Sequence, residues 1–261
     1  VIEPPVQVAA IRAYLELEQT EDRRVAQASA LALLGELLAR GGEVEEGLAL
    51  LQRACALSPA AQLTARRAMI LLNAKHPEQA LELLESIPPT QRSAYTWRAL
   101  LRGHALLGQV NGALEAACGL VARERSEQAR GTLASVLSQA SGTADPTHLA
   151  VGALVLARVA QDHPELAAEW LTRASEAARR SPPEASERSR DLARYVLLCS
   201  TEVPRRVVTL DLASRPTATL VRARCGDAAA LGQLREAADK DGLVYALARL
   251  DPDLAPSLAN R

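Results

Sequence analysis

The sequence contains no phenylalanine, and aromatic residues make up only 2% of its 261 positions. Lysine occurs only at Lys75 and Lys240, whereas arginine is abundant, a bias that reads as GC-rich bacterial coding rather than as phosphate recognition. There is no basic excess either. The formal net charge is −1 and the pI about 6.5, so the chain does not advertise a nucleic-acid-binding surface, although net charge leaves local faces open. No apolar run reaches membrane-spanning length. The longest, LAVGALVLARVA at 149–160, carries Arg158 and suits a buried helix. The four cysteines, Cys55, Cys118, Cys199 and Cys225, form no CxxC pair and read as inert thiols in a reducing, cytoplasmic setting.

Chemistry-bearing motifs are missing as well. His76, His104, His148 and His163 show no HExxH or other metal-ligand spacing, so no metal and no cofactor is expected. GxGxxG, GxxxxGK[ST] and GxSxG are all absent, and no carboxylate pair stands out. A non-enzymatic role is the expectation. The chain starts at Val1 rather than Met, which reads as a fragment or a processed product.

What remains is leucine and alanine at helical spacing. Apolar residues make up 48% of the chain, enough for a substantial core. In LALLGELLARGGEVEEGLALLQRACALSP (31–59), Leu31, Leu34 and Leu38 form one series and Leu48, Leu51, Ala54 and Leu57 a second, divided by Gly41 and Gly42. Glycine ends a helix at low conformational cost, and so short a connection requires antiparallel packing. Gly35, Gly47 and Ala54 are where the two axes are expected to approach most closely. Further helices are expected at about 6–18, between Glu127 and Ala140, and after Pro182 to about Cys199. Short ones follow at 217–224, 227–239, 242–250 and 254–260. RRVVTLDL (205–212) is the one strand candidate. KHPEQALELL and DHPELAAEWL share a proline at a helix start, where no needed hydrogen bond is lost. A capping or turn role is expected for the histidine that precedes each.

The spacing resembles the tetratricopeptide repeat, W-x2-L-G-x2-Y…A-x3-F…P over about 34 residues. Leu31, Leu34, Gly35, Leu38, Gly47, Leu51 and Pro59 carry the first match. Thr64, Arg67, Ala68, Leu71, Ala80 and Leu84 carry the second. Trp97, Leu100, Leu101, His104, Ala113 and Ala117 carry a third, without the closing proline. A fourth uses Val151, Leu154, Val155, Arg158, Ala167 and Leu171. The departures fall at Thr64, Arg67 and His104, and helix pairing over 126–200 stays open. The resemblance implies an all-α, right-handed α-solenoid over 1–200, with a less regular helical cap region at 201–261.

In that family the first helix of each hairpin lines a groove that holds a peptide or helix of another protein. The matching face would carry Ala32, Glu36 and Arg40, then Ala65, Met69, Leu72 and Asn73, then Tyr95, Arg98, Arg102 and Leu106. Tyr95, Arg98 and Arg102 lie one turn apart and would suit an acidic or carboxylate-ended peptide, with Met69 and Asn73 next. The competing possibility is a solvated face whose arginines are balanced by neighbouring acids. The terminal-carboxylate clamp of chaperone-tail binders is not reproduced. A scaffold or adaptor is therefore expected, with homodimerisation open. The alternative is a regulatory or sensor region of a larger bacterial kinase or transcription regulator.

Overall fold

In a computed structural model, residues 8, 9, 11, 24–160, 162–182, 184–200 and 215–259 are described. The fold is all-helical over those residues, with fourteen α-helices that pack mainly in neighbouring pairs. Most of the helix expected at 6–18, and the whole strand candidate at 205–212, lie outside the described residues. The chain divides into two compact units, 1–87 and 88–261.

The first unit holds α1 (Arg24–Arg40), α2 (Val44–Leu57), α3 (Ala61–Asn73) and α4 (Pro77–Glu85). α1 pairs with α2 and α3 with α4, while α3 also touches α1 and α2. The α1–α2 turn shows why this sequence folds as a hairpin. Gly42 takes φ 101°, the Glu43 amide donates to Leu38 O at 2.9 Å, and the Gly42 amide donates to Ala39 O at 3.3 Å. This left-handed closure satisfies carbonyls that a helix end otherwise leaves open. The helices then meet backbone to backbone. A Cβ on Gly35 would lie 2.6 Å from Gly47 O, and one on Gly47 would lie 2.5 Å from Gly35 O. Leu31, Leu51, Ala54 and Leu63 fill the core around this crossing.

The same turn recurs. Lys75 takes φ 64° between α3 and α4, where the His76 amide donates to Leu71 O at 2.9 Å. Gly108 takes φ 65° one hairpin later, where the Gln109 amide donates to His104 O at 2.9 Å. Positions 42, 75 and 108 are evenly spaced. Pro77 and Pro164 each open a helix, but the side chains of His76 and His163 make no capping hydrogen bond. Of the capping or turn role expected for them, side-chain capping is corrected, while the turn holds: both histidines precede the helix, with His76 N donating to Leu71 O and His163 N to Ala160 O.

The second unit comprises α5 (Ala94–Leu106), α6 (Val110–Glu124), α7 (Glu127–Ala140), α8 (Pro146–Val159), α9 (Pro164–Arg179), α10 (Glu187–Ser200), α11 (Pro216–Arg224), α12 (Ala228–Lys240), α13 (Gly242–Leu250) and α14 (Ala255–Ala259). Packing settles the pairing that the sequence leaves open over 126–200. α7 lies against α6 and α8, α8 also reaches α6, and α9 pairs with α8. The helices read as a terminal cap include α13, which packs on α6 and α8 and is buried from Gly242 to Ala248. There the Tyr245 ring stacks on fully buried Trp97, with centroids 5.9 Å apart. Gly119 on α6 leaves room for that indole, since a Cβ there would stand 2.6 Å from it.

Two buried aspartates at the ends of α13 fasten this return, and a third, Asp191, ties α10 to α11. Asp241 accepts from the Leu243 and Val244 amides at the start of α13, and from Arg188 Nε at 2.6 Å. Asp251 accepts from Tyr195 Oη at 2.6 Å and stands 3.7 Å from Arg158 and 3.4 Å from Arg224. Asp191 accepts from Thr217 Oγ1 at 3.1 Å and stands 3.4 Å from Arg215. Buried carboxylates persist in a fold when arginine and hydroxyl donors surround them.

Candidate functional site

α8 is almost wholly buried because neighbours cover it on most sides, and its two flanking helices, α7 and α9, leave an open groove above it. Leu149, Ala153, Leu156 and Ala160 form the floor. The α7 wall carries Gly131, Ala134 and Ser138 between the larger Glu127, Arg130 and Leu137, with Ser141 just past its end, and a Cβ added at Gly131 would meet nothing within 4 Å. The α9 wall presents Leu166, Trp170, Arg173, Glu176, Ala177 and Arg180. Two cavities of about 380 and 290 Å³ share Ala134 and Trp170, so Trp170 sits at the middle of one continuous trough.

The trough is held open by local chemistry. Arg130 Nη1 donates to Val159 O at 3.2 Å and ties α7 to the end of α8. Arg173 lies 4.8 Å over the Trp170 ring and pairs with Glu169 at 2.5 Å, which fixes the rotamer of the indole's neighbour. Leu166 remains 43% exposed, and the half-buried Trp170 lines both cavities beside it. A partly exposed tryptophan beside an exposed leucine is a typical anchor composition for protein contacts.

The residues expected to contact a partner are distributed differently. Tyr95, Arg98 and Arg102 are exposed on α5, as their spacing requires. Arg98 is held by Glu124 at 2.5 Å, and Glu124 also accepts from Ser126. Met69 is half-buried and Asn73 exposed on α3, in the other unit. Of the remaining face, Ala32, Ala65 and Leu72 are buried and present nothing to a groove; packing between α1, α2, α3 and α4 claims them. Glu36 is engaged by Arg66, whose Nε donates to it at 2.5 Å and Nη2 at 3.1 Å. The α7–α9 trough carries only a weak signal in the sequence, where Trp170 and Leu166 read as ordinary members of an amphipathic helix.

The titratable groups of the second unit serve packing. Burial pushes the Cys118 thiol well above its ordinary value, and the charge of Glu115 adds to the effect. Burial, then the charges of Cys199 and Asp251, raise Tyr195 far above a free tyrosine. Burial and then the Arg188 charge lower His148, against the opposing pull of Glu115 and Asp145. In the C-terminal helices, Arg222 pairs with Asp227, and Arg224 with Asp251 and Asp253. Among the described residues no group of three or more His, Cys, Asp or Glu is placed to hold a metal ion, and no helix is long and apolar enough to cross a membrane. No known family model and no curated protein matches the chain.

Proposed function

We propose that the chain is a non-catalytic scaffold, similar to a tetratricopeptide-repeat array, that holds a helix of a protein partner in the α7–α9 trough. The observation that carries this reading is the half-buried Trp170 at the centre of a trough floored by apolar α8 residues, facing an α7 wall in which Gly131, Ala134 and Ser138 leave space. Paired helices and the evenly spaced left-handed turns at 42, 75 and 108 support the repeat character. The floor from Leu149 to Ala160 is about 18 Å long, enough for about three turns of a docked helix. The receptor is preformed, so binding orders little of it.

The test is a photo-crosslinking side chain placed at Ser138, inside the trough, and at Gln52, on the exposed side of α2 in the other unit. The protein is exposed to a lysate of the organism that encodes it, and the crosslinked peptides are sequenced. Adducts from one defined helical segment at Ser138, absent at Gln52 and lost with Trp170→Ala, support the trough. Equal adducts at both positions, or none at Ser138, refute it.

A further inference from the structure

We infer that the helix received by this trough is α9 of a second copy of the chain, lying antiparallel to the first copy's α9. The inference rests on the trough being a helix-binding site and names its occupant. Its ground is the charge order on α9. Glu169, Arg173 and Glu176 are spaced four and three residues apart on one ridge of the helix, and Arg180, four residues on at the helical C-cap position, continues it. All four are exposed, whereas Ala174, Ser175 and Ala178 on the opposite side face the core.

Along the chain that ridge runs acid, base, acid, base. An antiparallel copy presents the reverse order. A two-fold axis that sets residue i against j also sets j against i. With the axis between Arg173 and Glu176, Glu169 meets the second copy's Arg180, and Arg173 meets its Glu176. The symmetry repeats both pairs, so all four positions meet opposite charge. A parallel, in-register pair would instead set like against like at every position. The charge order therefore selects one direction and one register.

Size and shape agree with this occupant. α9 has sixteen residues, about 24 Å, so its central turns can cover the about 18 Å of floor between Leu149 and Ala160. Leu166 and Trp170 flank the charged ridge on the groove side and supply the apolar area that exposed ion pairs alone would not. Gly131, Ala134 and Ser138 on α7 leave space for the incoming helix.

The experiment is sedimentation equilibrium on the purified full chain, with three samples beside the wild type. One variant carries Glu169→Arg and Glu176→Arg, making the ridge wholly basic. A second carries Arg173→Glu and Arg180→Glu, making it wholly acidic. The third sample mixes the two variants in equal amounts. Circular dichroism checks that helix content is unchanged; if a double variant loses helix, Glu176→Arg and Arg173→Glu replace the pairs. The expected result is a wild-type dimer, at least about tenfold weaker association in either variant alone, and recovery in the mixture. A wild-type chain that stays monomeric at ~100 μM overturns the inference, as does a dimer indifferent to both variants or a mixture that fails to recover. A monomeric chain whose Ser138 still crosslinks to a foreign helix would overturn the self-pairing and leave the scaffold reading standing.

Discussion

The two compact units are built from the same kind of helix but are held together differently. In the first, helices pack on partners that are adjacent or next but one along the chain, and the crossing of α1 and α2 depends on two glycines meeting backbone to backbone. In the second, α13 comes back to α6 and α8 after more than eighty intervening residues, fastened at its two ends by Asp241 and Asp251. Short-range packing needs only small residues at the right spacing. A long-range return lacks the help of a short connection, and buried, direction-specific ion pairs define where it lands. Specificity in the first unit is therefore steric, and in the second largely electrostatic.

Perturbations should separate the two kinds of construction. Both tryptophans, Trp97 and Trp170, lie in the second unit, so their fluorescence reports that unit while circular dichroism reports both. The largest effect is expected from Asp251→Ala, which strands Tyr195 Oη and removes the carboxylate beside Arg158, while Arg224 keeps Asp253. It should cost about 3–5 kcal/mol in urea unfolding followed by fluorescence. Unchanged fluorescence transitions would mean that the return of α13 does not depend on this cluster.

Gly35→Ala comes next. The added methyl would stand 2.6 Å from a backbone oxygen, so α1 and α2 must separate, at a cost of about 1–3 kcal/mol. Hydrogen exchange should rise across 24–57 while tryptophan fluorescence stays as in the wild type. Loss of protection confined to the second unit would contradict the steric account.

The second unit should also be the more pH-sensitive. His148 sits below its ordinary value, so the unfolded state binds the proton first. Stability is then present above the unfolded value of about 6.5 and falls as pH drops through the folded one. Tyr195 is raised, so its contribution is complete below about pH 10 and is lost as pH rises beyond it. Fluorescence-detected unfolding from pH 5 to 11 should fall at both ends, and His148→Gln should flatten the acid limb. An unchanged acid limb in that variant would assign the dependence to other groups.

The smallest effects belong to partly exposed pairs. Glu36→Gln weakens the α1–α3 contact by about 0.5–1 kcal/mol, read from circular dichroism melts. Arg98→Ala should leave stability within about 0.5 kcal/mol, since its pair with Glu124 is solvated. A larger loss there would show that the pair is structural.

Much of the helical layout was legible because its determinants are local. Leucine spacing marked α1 and α2, Gly41 and Gly42 marked their turn, and prolines at 77 and 164 marked helix starts. The Gly35–Gly47 approach was legible too, since glycine inside a helix costs stability that close packing of the two axes offsets. The candidate site was far less so. Tyr95, Arg98 and Arg102 share a face as spacing demands, but periodicity does not reveal that Glu124 reaches Arg98 from another helix.

By itself the sequence determined where helices begin, end and reverse, because capping, proline placement and left-handed glycines act over a few residues. It also set the acid–base order along α9, a property of one helix. Only the tertiary structure decided that α13 packs back onto α6 and α8, that Tyr245 lies on Trp97, and that α7 and α9 leave a trough above α8. The reason is that an apolar stripe specifies that a helix must be covered and is silent about which helix covers it.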